Sequence, residues 1–151
     1  MTDMNDTELK YVIATILQND RQLLEMLPEN DNWLDQDEED LRPRWSIVPL
    51  EKFKPENPLP QITIQEGGSN RVGHNLYEDI FYVRCYNSSS KTFVDITNIL
   101  ARVRLLLHRR DVELAGSTSI RLVHESTGAE LIDQGLGDLP FRESRYSWQR
   151  V

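Results

Sequence analysis

A lysine and a threonine stand side by side before a helix-like stretch, as they do in a phosphate-binding loop. The stretch is "CYNSSSKTF", residues 85 to 93. In that loop two glycines let backbone N–H groups close around a phosphate. Aligned on Lys91 and Thr92, the glycine positions hold Cys85 and Ser90. Because both glycines are absent, we interpret the stretch as a polar turn between a strand and a helix, and we expect no nucleotide or other cofactor.

The single cysteine and the three histidines are the remaining candidates for catalysis or metal binding. Cys85 lies on the apolar face of a strand-like stretch, which predicts a buried and unreactive thiol. His74, His108 and His124 fall in a predicted loop, a helix end and a strand, at spacings that match neither a metal site nor a catalytic triad. The chain is therefore predicted to be no enzyme and to bind no metal.

Length and charge narrow the classes of function further. The chain has 151 residues and a net charge of −8, which fits one compact domain that nucleic acid or anionic lipid would repel. One cysteine allows no intrachain disulfide, and no apolar run reaches the roughly 18 residues needed to cross a bilayer. The N-terminus is acidic and polar, unlike a secretory signal. We expect a soluble protein assembled in a cytoplasm.

The first half of the chain predicts one helix followed by a long excursion. Apolar residues at helical spacing predict a helix over residues 7 to 27, which bends or ends early at Asp20. Seven acidic residues then lie between Glu29 and Asp40, without the glycine and glutamate that a calcium loop needs. Five prolines in residues 43 to 60 predict an extended connector. We interpret residues 29 to 60 as an acidic and proline-rich excursion from a single domain, 1 to 151.

The second half alternates predicted strands with one helix. Strands over residues 61 to 66 and 76 to 86 predict a hairpin with a glycine-bearing loop, and residues 92 to 110 predict a helix. Residues 119 to 126 and 129 to 133 predict a second hairpin around "TG", and residues 142 to 151 a last strand. This order predicts an α+β fold, a mainly antiparallel sheet of about four to five strands with helices packed on one face.

Two charged segments and one tryptophan are candidates for subunit or partner contacts. Arg102 and Arg109 lie seven residues apart in the predicted helix, on one face that we expect to be exposed. They could meet the run Asp37, Glu38, Glu39 and Asp40 of another subunit. Simple complementarity with the helix dipole explains most of this basic cluster, and the contact with another subunit is the second interpretation. Trp148 is expected to pack on the sheet rather than to anchor a partner, although it remains an interface candidate.

The order of elements resembles the tail-terminator proteins of long-tailed bacteriophages, also called tail completion or tail-to-head joining proteins. The resemblance is carried by "LPQITIQEGG", by "YEDIFYVRCYNSSSKTFVDITNILARVRLLLHRRD" and by a final strand after "GD". Pro60, Ile62 and Ile64 match the family's first strand, residues 80 to 86 its second strand, and residues 94 to 107 its helix. It covers about residues 58 to 151 and the first helix, whereas the acidic segment 29 to 42 looks like an insertion.

The resemblance implies a structural role in the virion. Six copies would form a ring at the head-proximal end of the tail tube, end tail growth and join the tail to the head. The implied partners are the tail tube protein and a connector or head-closure protein on the head side. Genomic DNA would pass through the lumen without specific binding, and no membrane is involved. A head-closure or neck protein of the same particle is the alternative, and an enzyme or nucleotide-binding protein is a distant third.

Overall fold

The computed structural model of the chain describes residues 6–27, 46–50, 53–54, 59–73, 76–87, 93–114 and 118–150. Helix α1 spans Asp6–Gln18 and a short helix α2 spans Arg21–Leu24. Helix α3 spans Phe93–Leu107. The strands are β1 Ile47–Pro49, β2 Gln61–Gly73, β3 Leu76–Tyr86, β4 Asp111–Leu114, β5 Thr118–Thr127, β6 Leu131–Asp133 and β7 Leu139–Arg150. A 3-10 helix, Gln134–Leu136, joins β6 to β7.

The break between α1 and α2 falls where the sequence predicts it. Asp20 has an extended backbone, and its side chain accepts a hydrogen bond from the Leu23 backbone N–H at 2.8 Å. This is the geometry of an N-cap, which satisfies a donor that has no partner in the first turn of a helix. The apolar residues on both sides of the break still share one core, so the predicted stripe is confirmed although it belongs to two helices.

Seven strands form one sheet among the described residues, in the order β1-β2-β3-β7-β5-β4, with β6 paired to β7. The pairing of β1 with β2 is parallel and the other pairings are antiparallel. The sheet is mixed and curls into a half-barrel. The predicted α+β sheet of four to five strands with helices packed on one face is therefore wrong.

The missed strands explain the wrong strand count. β1 lies inside the proline-rich connector, and β4 lies in a stretch that carried no strand prediction. The predicted hairpin of residues 61 to 86 is confirmed, but β2 runs on to Gly73 through what was predicted to be its loop. The second predicted hairpin is wrong because β6 pairs with β7, not with β5. Strands β1 and β4 have only three and four residues, and local periodicity indicates that a segment is a strand but not which strand it pairs with.

A glycine supports the bend in the long β2–β3 hairpin. The pairing shifts register between Glu66 and Gly68, as in a β-bulge. Gly67 lies inside this bulge, directly against the ring of Tyr82, and a Cβ at that position would collide with the ring. A residue without a side chain is thus required where the backbone passes over an aromatic ring.

The core joins residues from the helices to residues from both halves of the sheet. On β3 the predicted alternation is confirmed, because Phe81, Val83 and Cys85 are all buried in this core. Helix α3 directs five residues into the core at helical spacing: Ile96, Ile99, Leu100, Val103 and Leu107. The helix ends at Leu107 rather than at the predicted Arg110.

Candidate interaction surface

The outward side of α3 carries apolar residues in a row. Val94 is 62% exposed and Leu105 is 71% exposed, and Ala101 between them is also exposed. With Asn98 these residues follow the spacing of one helix face, opposite the residues that enter the core. Single exposed apolar residues are common on protein surfaces, whereas several on one face of a helix are a candidate contact site. The outward stripe of α3 is therefore the first candidate surface.

Basic residues surround the C-terminal part of this stripe. Arg104, Arg109 and Arg110 are all exposed.

 

A groove on this side of the helix has a volume of about 230 Å³, and among the described residues it is lined by Ala101, Arg104, Leu105 and His108. Neither Arg104 nor Arg109 has an ion-pair partner in the described part of the chain. We call the surface formed by Ala101, Arg104, Leu105, His108, Arg109 and Arg110 the basic end.

Arg102 does not belong to the basic end. Its guanidinium donates two hydrogen bonds to the carboxylate of Asp20, at 2.9 and 2.8 Å, and the side chain is partly buried. The hydrogen bond from Arg102 lowers the pKa of Asp20 below its usual value. The expectation that Arg102 is exposed and available to a partner is therefore wrong. It joins α3 to the N-cap of α2 within one subunit.

Arg109 lies beyond the end of α3, in a left-handed backbone conformation with a φ of 60°. Its backbone N–H donates to the carbonyl oxygen of Leu122 at 2.7 Å, which ties the chain to β5. The side chain itself is exposed, as predicted. Because the helix ends before Arg109, the prediction that Arg102 and Arg109 share one helix face is wrong.

Trp148 packs on the sheet, which confirms the favoured prediction. It lies on β7 opposite Leu122 of β5, and only 7% of the residue is exposed. Its place in the core leaves little of its surface for a partner. The acidic run Asp37, Glu38, Glu39 and Asp40 lies outside the described residues, and its contact with another subunit stays a prediction.

Two histidines that the sequence separates are neighbours in the structure. His108 accepts a hydrogen bond through Nδ1 from the backbone N–H of His124 at 3.0 Å, which connects the end of α3 to β5. His124 in turn contacts the hydroxyl of Thr127 at 2.9 Å. Burial lowers the pKa of His124, and the nearby charge of Arg104 lowers it further. No local spacing links residues 108 and 124, so sequence periodicity could not have found this pair. His74 lies outside the described residues.

The cysteine and the metal-ligating side chain types were the candidates for chemistry in the sequence. Cys85 is fully buried, and this burial raises the pKa of its thiol to about 12, so the reactive thiolate is scarce at neutral pH. In the described part of the chain no group of three or more His, Cys, Asp or Glu side chains could hold a metal ion. None of the helices described is both long enough and apolar enough to cross a bilayer.

Comparison of the chain with protein-family models, with curated proteins and with solved structures finds no match.

Proposed function

We propose that this protein is a structural subunit of a bacteriophage virion. Copies of it, six in the ring that the resemblance implies, would cap the head-proximal end of the tail tube, stop tail growth and join the tail to the head. The observation that carries the proposal is the outward side of α3, where the exposed residues Val94 and Leu105 lead into the basic end. A subunit that works alone has no need of such a surface.

The charge of the chain fits passage of DNA through the ring. A net charge of −8 repels phosphate at long range, so DNA can slide through a lumen without being held. The basic end is a local exception, and its use in subunit contacts would keep its arginines away from DNA. We therefore expect no measurable binding of duplex DNA at low salt, where binding through phosphates is strongest.

The proposed role is not enzymatic and needs no cofactor. Its partners are further copies of this chain, the tail tube protein, and the connector or head-closure protein of the head. The acidic counterpart that the sequence predicts for the basic end is the run from Asp37 to Asp40 of another subunit. Localisation in the virion, at the junction of tail and neck, follows from the same proposal.

Imaging of tail ends tests the proposal. The purified protein is mixed with tails that lack their own terminator, and the ends are examined by electron microscopy. We expect ring-shaped density at the head-proximal end alone. Bare tails together with protein bound to tailless heads would favour the head-closure or neck role instead. Binding to neither particle, or tight binding to duplex DNA, would overturn the proposal.

A further inference from the structure

A second exposed apolar surface lies on β6. Leu131 is 54% exposed and Ile132 is 60% exposed, although both lie in a strand. Among the described strands β6 pairs with β7 alone, so its other edge has no described neighbour. Proteins usually protect such edges because unpaired backbone groups and apolar side chains invite association. An edge that keeps two exposed apolar residues is a candidate contact surface.

The charged residues within the segment that carries β6 are all acidic, since residues 128 to 138 contain no lysine or arginine. Asp133 is partly buried and lies 3.9 Å from the guanidinium of Arg84, whereas Glu130 and Asp138 are exposed. We call the surface formed by Glu130, Leu131, Ile132, Asp133 and Asp138 the acidic edge. Like the basic end, it consists of exposed apolar residues flanked by charged residues, but here the charges are negative.

Several hydrogen bonds hold the acidic edge in place. The carboxylate of Asp133 accepts from the hydroxyl of Tyr86 at 3.2 Å and from the Gly135 backbone N–H at 3.1 Å. Arg142 donates to the carbonyl oxygen of Gly128 at 3.0 Å and to the hydroxyl of Thr97 at 2.7 Å. These bonds connect the segment to β3 and α3, so a partner meets a surface that is already ordered, which lowers the cost of binding.

The two surfaces lie towards opposite ends of α3. Arg142 links Gly128, two residues before the acidic edge, to Thr97 in the N-terminal half of this helix, whereas the basic end lies at its C-terminus. A helix of 15 residues is about 22 Å long. Both surfaces remain exposed in the subunit, so neither covers the other within one chain. Two different complementary surfaces on one subunit produce head-to-tail contacts, which close into a ring when the rotation allows it.

We infer that the basic end of one copy docks on the acidic edge of the next copy. Ala101 and Leu105 would pack against Leu131 and Ile132, and Arg109 and Arg110 would face the carboxylates of Glu130 and Asp138. The apolar pairs supply affinity and the charges fix the orientation. This inference rests on the proposed function, since it names the subunit contact of the proposed ring. It assigns the acidic edge, rather than the run Asp37 to Asp40, as the partner of the basic end.

Charge reversal on each surface tests the inference. One variant carries Arg109→Glu and Arg110→Glu, and a second carries Glu130→Lys and Asp138→Lys. Asp138 has a φ of 59°, which lysine adopts less readily than aspartate. If that change lowers the melting temperature, Glu130→Lys is used alone. Matched controls reverse exposed charges on other elements, Arg21→Glu on α2 and Glu113→Lys on β4. Every variant is first shown to melt as the wild type does.

Capping of terminator-free tails is then scored for each variant alone, for an equal mixture of the two, and for a chain with all four reversals. We expect each reversed variant alone to lose capping, because charges of the same sign would meet. The mixture should restore it in rings where the two variants alternate, and the fourfold variant should restore it by itself. The controls should cap as the wild type does.

The outcomes separate this inference from the proposed function. If the wild type caps tails and both reversed variants still cap alone, the two surfaces make no contact and the inference is overturned while the function stands. Loss of capping that neither the mixture nor the fourfold variant restores also overturns it, since the surfaces then meet other partners. If only the variant with the reversed basic end loses capping, the basic end contacts another acidic segment, and the inference is overturned. If the wild type caps nothing, the proposed function itself fails.

Discussion

Two leucines of α3 lie two residues apart and have opposite environments. Leu107 is fully buried in the core, whereas Leu105 is 71% exposed on the outward side. The inward side explains why the helix exists, since its apolar spacing buries residues against the sheet. The exposed apolar residues on the outward side do not pack in the core of the subunit. An apolar side chain without an intramolecular role is therefore the part of this helix that points to a partner.

The largest expected effect is a difference in stability between alanine variants on the inward and the outward side of α3. Leu107→Ala should lower the free energy of unfolding by about 3 kcal/mol, because it removes buried atoms and leaves a cavity. Leu105→Ala should change it by no more than about 0.5 kcal/mol, as is usual for exposed positions. Denaturant unfolding of both variants measures the difference. Equal losses would mean that the outward side is packed within the subunit.

A second pair, Asp20 and Arg109, contrasts an intramolecular charge with a surface charge. Asp20→Ala should cost about 1 kcal/mol, the usual loss for an N-cap, and should also leave Arg102 without its carboxylate. Arg109→Ala removes an exposed side chain and should leave stability unchanged. The same unfolding measurement applies. A stable Asp20→Ala variant would show that the link between α2 and α3 is dispensable.

A smaller effect is expected in the pH dependence of stability, through His124 on β5. His124 has a lowered pKa in the folded protein, so the unfolded chain binds a proton more readily below the usual value of 6.5. The stability due to neutral His124 is thus complete above that pH and is lost as the pH falls further. The free energy of unfolding of His124→Gln should depend less on pH than that of the wild type, over a range of roughly one pH unit on each side of 6.5. An unchanged pH dependence would contradict the cause assigned here.

The smallest effect concerns the inward face of β3. Because the pKa of Cys85 is raised to about 12 and the thiol is buried, iodoacetamide should not label the native protein. Labelling should proceed once denaturant unfolds the chain. Mass spectrometry of the two samples gives the answer, and rapid labelling of the native protein would place Cys85 at the surface.

The sequence predicted those parts of the fold that local periodicity controls. The alternation on β3, the apolar stripe of α3 and the break at Asp20 all depend on residues within a few positions of one another. The parallel pairing of β1, the short strand β4 and the partner of β6 were missed because local periodicity does not report which strands pair. A strand of three or four residues is too short for its alternation to stand out.

The candidate surface was predictable in part. The basic residues near the end of α3 are visible in the sequence, but the sequence does not show which of them forms a partly buried ion pair and which stay on the exposed surface. Arg102 is bound because Asp20, 82 residues away, lies beside it in the fold. Similarly, Leu131 reads as an ordinary strand residue until the pairing of β6 with β7 leaves it exposed. Which charges and apolar residues remain available is a property of the tertiary structure.

The most direct measurement compares the wild type with Leu105→Glu in capping terminator-free tails. Leu105 is exposed, so the variant should melt as the wild type does. We predict rings on the head-proximal ends with the wild type and bare ends with Leu105→Glu at the same protein concentration. Equal capping by a fully folded Leu105→Glu variant would contradict the claim that the outward side of α3 is a subunit contact.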